Sequence, residues 1–349
     1  MKKTLLIIGD RKTKRGKLDP SLKQFIKHAE KPNAKRNFNL KVIAYQNVLT
    51  GKLPEINEKY LIIMLFFPFE HWNKQIEVYD QDKRAYGDQK FGSQFSKFFI
   101  AVEKILTKKY RNKKIRYVNP PQSCILDRDK AKTKSLLLKN NIPVPNAFAV
   151  SNPRAIEDLI KEGKSLYLKP RFGAMGKGIT YVSGRQVVTN FLFRQDRIIS
   201  RPYDYNWRFS RISNKKRFLK KLLSKDVICE EAIEPATHEG RRFDFRIYTI
   251  YGRTPYFYAK SVGENSIVTN WSQGGRIEKK KSFYQHIPKS KIRLMLSLAK
   301  KTARTLGLNY AGVDILFSKG FEKIYVLEAH SFPAHEKGFN LTKFLSEKI

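Results

Sequence analysis

The sequence predicts a mixed α/β protein that begins with a small parallel unit and continues into strand-rich α+β structure. Three observations predict it. Short apolar runs alternate with helical stretches through the first third of the chain. A glycine-rich stretch, "LYLKPRFGAMGKGITYVS", joins two strand-like runs at 166–183. The last third runs through several strands, one long helix and two more strands.

In chain order, "TLLIIG" (4–9), "LKVIAY" (40–45), "YLIIMLFF" (60–67) and "IRYVN" (115–119) read as strands. Helical spacing separates them at 20–30 and 94–110. The unit ends near "NPPQ" (119–122), where two prolines break the chain. Asp127 is the expected N-cap of the helix "RDKAKTKSLLLKNN", which "IPVP" stops. A strand at 149–151 and a helix at 153–162 lead into the glycine stretch. Residues 201–225 form a dense basic helix or loop with Asp204 as the only acid. Strands "VICEEAI", "FDFRIYTIYG" and "PYFYAKSVG" follow, then a helix at about 287–306. "GVDILFS" and "KIYVLEAH" close the pattern.

Composition bounds the answer. The chain has 349 residues, 41% of them hydrophobic, enough for a large core and two or three domains. Its two cysteines, Cys124 and Cys229, fit neither a metal-ligand spacing nor a disulfide framework, which predicts a reducing, cytoplasmic setting. The N-terminal apolar run is too short for a signal-peptide core, and the run at 61–69 is about half a membrane span. The formal net charge of +39 attracts polyanions, whether nucleic acid, acidic peptide or anionic polymer. A lysine-rich proteome gives the same number, so charge alone selects no function.

The glycine stretch departs from known phosphate loops. Gly173, Gly176 and Gly178 give G-x-x-G-x-G, with Lys177 before the last. A P-loop places Ser or Thr after its lysine and opens a helix, as does a dinucleotide fingerprint. Here "ITYVS" follows, which is a strand, so the loop is a hairpin flap. Bare backbone lets N–H groups approach an anion closely, although a plain glycine-rich turn accounts for the stretch alone. Asp314 and Glu328 lie in otherwise apolar strands. Buried carboxylates are costly unless paired or bound to metal, and two on adjacent strands suit Mg²⁺.

The ordered set "RDK", "KPxxGxxGxGI", "EEAI", "FDFRI", "TNWSQGG", "GVDI" and "LEAH" resembles the ATP-grasp superfamily. It is most similar to carboxylate–amine ligases of the glutathione-synthetase and ribosomal-protein glutamate-ligase type and to the endospore-coat-associated branch. The resemblance covers residues 121–338. It implies an N-terminal pre-ATP-grasp domain at 1–120, then α+β subdomains at 121–228 and 229–349 that clasp ATP.

The resemblance also implies roles. Lys130 and Lys169 would reach the α and β phosphates of ATP, and Gly173, Gly176, Lys177 and Gly178 would form the lid. Glu230, Glu231, Ala232 and Ile233 would be the hinge strand whose backbone reads adenine. Asp244 would contact the nucleotide, and Arg246 would face phosphate or substrate. Asn270, with Gly274 and Gly275, would shape the acyl-phosphate site, while Asp314 and Glu328 would hold Mg²⁺. Two positions depart from the pattern. His330 stands where relatives end the metal strand with Asn, and imidazole suits a softer ion such as Mn²⁺. Lys260 stands where relatives carry arginine near the transferred phosphate, which keeps the charge and loses the fork. The next arginine of the glutamate-ligase branch falls at Val268.

The implied reaction moves the γ-phosphoryl of ATP onto a carboxylate, after which an amine displaces phosphate. It requires a carboxylate and an amine substrate, with an acidic peptide or anionic polymer as the acceptor that the charge suggests. Homo-oligomers occur among such enzymes. Two other readings stay open: a non-catalytic ATP-grasp protein that binds nucleotide or polymer, and a nucleic-acid binder built on the basic 201–225 segment.

Overall fold

The computed structural model describes residues 2–10, 20–31, 38–76, 85–184, 186–201, 207–270, 274–278, 281–333 and 340–349. Strands β1 (Lys3–Ile8), β2 (Phe38–Ile43), β3 (Tyr60–Leu65) and β4 (Lys114–Tyr117) form a parallel sheet in the order β2-β1-β3-β4. The unbroken apolar run of β1 is explained by burial on both faces. Leu6 and Ile8 join a core with Phe95 and Phe99 of the helix Gln89–Lys109, and Leu5 and Ile7 join another with Phe25 and Tyr248.

The second sheet is antiparallel. Strands β5 (Ala147–Phe148), β6 (Leu166–Pro170), β7 (Thr180–Ser183) and β8 (Gln186–Thr189) lead to the hairpin β9 (Leu192–Arg194) and β10 (Arg197–Ile199). With β11 (Ser210–Arg211) and β12 (Val227–Glu231) the order is β11-β8-β7-β6-β12-β5. The third sheet contains β13 (Thr237–His238), β14 (Arg241–Ile250), β15 (Arg253–Gly263), β16 (Arg276–Ile277), β17 (Tyr310–Phe317) and β18 (Ile324–His330). Its order is β16-β15-β14-β17-β18, with β13 on β14. One face, with Phe243, Phe245, Ile247, Val313 and Ile315, packs on Met295 and Ala299 of the helix Lys289–Thr305.

Several expectations shift. The prolines at 120 and 121 start a helix, Pro121–Arg128, because proline at the first helical position lacks only an N–H that has no partner there anyway. Asp129, two residues beyond the expected cap, caps Lys130–Lys139 by accepting from the Lys132 N–H at 3.2 Å. Asp127 instead accepts from the backbone N–H and hydroxyl of Ser331 at 2.8 and 2.6 Å. The strand expected at 149–151 lies at Ala147–Phe148. Within the basic segment, 202–206 lie outside the described residues. The helix Lys215–Leu223 buries Phe218, Leu219 and Leu222 and leaves Lys216, Arg217, Lys220 and Lys221 exposed.

Candidate functional site

The glycine stretch is the turn between β6 and β7, whose antiparallel register pairs Leu166 with Val182 and Leu168 with Thr180. It therefore forms a hairpin flap and opens no helix. Gly178 adopts φ +74°, and a Cβ there would lie 2.6 Å from both Phe191 and Pro170, so only glycine fits. The flap base is pinned from outside the second sheet. The Ala174 N–H donates to the Tyr86 hydroxyl at 3.1 Å, and Arg171 forks onto Asp129 at 2.8 and 2.7 Å. Lys177 is buried, its ammonium 4.4 Å from the Tyr86 ring centroid and 5.9 Å from that of Trp207.

Opposite the flap, the polar face of the third sheet carries the other candidates. Alternation along β14 turns Phe243, Phe245 and Ile247 to the core and Arg242 and Asp244 to the cleft, with Arg246 on the same strand face against Asp314. Register then sets Lys260 opposite Asp244, Asp314 opposite Arg246, and Glu328 opposite Asp314. The side chains meet accordingly. Arg246 forks onto Asp314 at 2.5 and 2.9 Å. The Lys260 ammonium lies 2.9 Å from Asp244 and 3.1 Å from Asp314, and the Thr269 hydroxyl donates to Asp244. His330 Nε2 lies 3.4 Å from Asp314 and 3.5 Å from Glu328. One ligand atom each from Asp314, Glu328 and His330 falls within 4.8 Å of the others, a grouping with the donor set for a divalent cation.

Burial and charge act against each other in this cluster. Burial raises the Asp314 carboxyl, but Arg246 and Lys260 outweigh it and hold the group well below the usual carboxylate range. Glu328 is likewise raised by burial and pulled down to about 2, chiefly by Lys130 and His330. Asp244 is raised by burial and by Asp314, which the Lys260 charge only partly offsets.

Lys130 connects the two sides. Its ammonium donates to the flap carbonyl of Gly173 at 2.5 Å and lies 3.3 Å from Glu328. Deeper, Glu230 forms buried ion pairs with both Lys169 and Lys134. Lys134 escaped the sequence reading, because one lysine in "KAKTKSLLLK" carries no local signal of its partner on β12.

The remaining candidates sit around the same cleft. The Glu231 carboxylate accepts from the Asn146 amide at 2.7 Å, and the N–H groups of Glu231 and Ala232 donate to Asn146 and Ser165, each at 2.8 Å. Ile233 and Asn270 line the cleft, and the Asn270 carbonyl accepts from the Gly275 N–H at 3.0 Å. A Cβ on Gly275 would run into the Thr269 carbonyl. The cleft opens to solvent, and about 940 Å³ of empty space, open solvent included, lies within it. Its walls pair apolar Ile179, Ile267 and Leu316 with the cations Lys130, Lys169 and Lys260, which suits a flat base joined to a polyanion.

The sequence profile of the YheC/D like ATP-grasp family matches residues 128–343. Among curated proteins the chain is similar to the tetrahydromethanopterin:alpha-L-glutamate ligase of Methanocaldococcus jannaschii, 29% identical over 228 residues, 65% of each protein. It is also similar to the endospore coat-associated protein YheD of Bacillus subtilis, 24% identical over 234 residues, 59% of this chain and 51% of that one. The chain thus spans less than two thirds of these relatives' length. Among solved structures, the ATP-grasp ligase PsnB complexed with minimal precursor gives a TM-score of 0.56 at 14% identity, covering 100% of this chain and 98% of that one. The D-alanine–D-alanine ligase from Bacillus anthracis gives 0.51 at 13% identity, covering 100% and 92%. These likenesses establish the expected ATP-grasp fold, and the profile match extends over more than half of the sequence. The chain belongs to the YheC/D like ATP-grasp family.

Proposed function

We propose that the protein is an ATP-dependent ligase that joins a carboxylate to an amine through an acyl phosphate and releases ADP and phosphate. One observation carries this reading: Lys130 touches both the flap carbonyl of Gly173 and the carboxylate of Glu328. Flap, phosphate-directed cation and metal-type acid thus converge on one point.

Lys130 and Lys169 hold the nucleotide phosphates, and the apolar walls hold the base beside the strand that ends at Ile233. Arg246 and Lys260 neutralise charge around the transferred phosphoryl. Asp314, Glu328 and His330 would hold Mg²⁺ or Mn²⁺, which would supply charge shielding to the phosphate oxygens. Arg246, Lys260 and Lys130, which pair with Asp314 and Glu328 here, are the cations that incoming phosphates would meet beside those carboxylates. The flap keeps water from the acyl phosphate until the amine arrives. Asn270 borders the space where that amine attacks.

We place the enzyme in the cytoplasm, where ATP is abundant and the buried thiols Cys124 and Cys229 stay reduced. No helix among the described residues is long and apolar enough to cross a membrane. We assign the clasping subdomains to the second and third sheets, with the division after Glu231, because β12 pairs within the second sheet. An acidic peptide is the acceptor class that best matches the net charge of +39.

The test is ADP release with Mg²⁺ or Mn²⁺ across pooled amino acids and acidic peptides, with Glu328→Ala as control. Turnover that requires both an acid and an amine and disappears in the variant supports the ligase. ATP binding without turnover in every pool points to a non-catalytic nucleotide-binding protein.

A further inference from the structure

A second cleft of about 600 Å³ adjoins the first and shares Lys130, Lys169, Gly173, Glu230 and Glu328 with it. Arg128 and His330 line the second cleft and not the first. Arg128 ends the helix Pro121–Arg128, two residues before Lys130. Its guanidinium carbon lies over two aromatic rings, 4.4 Å from the centroid of Trp72 and 5.4 Å from that of Phe95. Its Nε is sealed from solvent and has no hydrogen-bond partner. Among the described residues its side chain makes no ion pair, whereas Arg171 and Arg246 each fork onto an aspartate. The one acid beside it in sequence that could reach the cleft, Asp127, is held by Ser331.

We infer that the second cleft receives the acid substrate and that Arg128 binds a carboxylate of it. An arginine whose guanidinium sits over an indole is stripped of part of its hydration, and a carboxylate is the group its planar fork matches. Arg128 lines the cleft, and among the described residues no acceptor holds its guanidinium, which leaves the group open to a carboxylate there. The shared wall puts that substrate next to Lys130 and Glu328, where the γ-phosphoryl would arrive. Arg128 is thus a specificity residue that selects acids by a carboxylate contact, and this assignment rests on the ligase reading above.

The test uses hydroxylamine as the amine, so that any acyl phosphate is trapped as a hydroxamate. The probe acids are L-glutamate, L-aspartate and a short oligoglutamate. Arg128→Lys keeps the charge and loses the fork, Arg128→Gln loses the charge, and Trp72→Leu removes the stacking platform. Thermal unfolding checks that each variant is folded. The expected result is a rise of about tenfold or more in the half-saturating acid concentration for Arg128→Lys, with that for ATP unchanged. Equal changes for acid and ATP, or no change, overturn the assignment. If the unsubstituted protein forms no hydroxamate with any acid, the ligase reading fails for these acids. Calorimetric titration of oligoglutamate, which needs no turnover, then decides. Binding that Arg128→Lys weakens about tenfold upholds the carboxylate site, and binding that is absent or indifferent to the variants rejects it.

Discussion

Glu230 shares its one buried carboxylate between Lys134 and Lys169, which come from a helix and from the strand next to its own. Burial pushes the Lys134 ammonium down, and Glu230 is the main group opposing that. Glu230 itself is raised by burial and held below its ordinary range by the two lysines. Glu230→Gln would leave two cations side by side with no carboxylate between them. A loss of about 3–5 kcal/mol in urea unfolding is expected. Lys134→Met leaves the Lys169 pair intact and should lose only about 1–3 kcal/mol. Equal losses would mean that the two lysines do not share the acid as described.

The acid limb of stability should report Glu328. Its folded value of about 2 lies below its ordinary 4.5, so its pairing stabilises the fold fully above about pH 4.5. That contribution is lost as the pH falls through about 2, where the folded carboxylate takes up its proton. Unfolding free energies measured in chelator between pH 5 and 2 should therefore fall less steeply in Glu328→Gln than in the unsubstituted protein, by up to one proton's worth of slope. Parallel curves would show that Lys130 and His330 do not hold the carboxylate ionised.

Two glycines separate backbone strain from crowding in the flap. Gly178 and Gly252 have nearly the same conformation, φ +74° and +75°, but only Gly178 has neighbours where a Cβ would stand. Gly252→Ala should cost about 1 kcal/mol and leave turnover unchanged. Gly178→Ala must also displace Phe191 or Pro170, so it should cost more and lower kcat/KM for ATP at least about tenfold. Steady-state kinetics beside urea titrations check both. A Gly178→Ala enzyme with ordinary kinetics would mean that the flap tolerates reshaping.

How much of this was legible in sequence depends on the range of the signal. The alternation in "FDFRI" places Asp244 and Arg246 on one face, because a strand's period is local. The partners on that face, Lys260, Asp314 and Glu328, depend on register between strands up to about 70 residues apart, which only the ordered family motifs supplied. Glu230 was read as a backbone hinge, and its side chain turns out to be the anchor for two lysines. The choice between Asp127 and Asp129 as a cap rested on two acids two residues apart, and Ser331, 204 residues away from Asp127, decides it. Lys177 had an expected place in the lid, but its aromatic neighbours Tyr86 and Trp207 had no sequence cue, since each lies in a different stretch of chain.

Tyr86 offers the clearest test of how the flap is held. Its hydroxyl accepts from the Ala174 N–H at 3.1 Å, and its ring faces the Lys177 ammonium at 4.4 Å. Tyr86→Phe keeps the ring and the cation contact but removes the hydrogen bond. A flap loosened at its base would still admit ATP and would exclude water less well. The expected outcome is ADP release that exceeds amide formation, with the half-saturating ATP concentration raised only about two- to fivefold. Tyr86→Leu, which also removes the ring, should raise it further and uncouple more. Measuring ADP and amide in the same reaction separates this from simple destabilisation, which would lower both in proportion. A Tyr86→Phe enzyme that stays fully coupled would show that the hydroxyl contact does not govern closure, leaving the Arg171–Asp129 fork and the Lys130 and Asn190 contacts to anchor the flap.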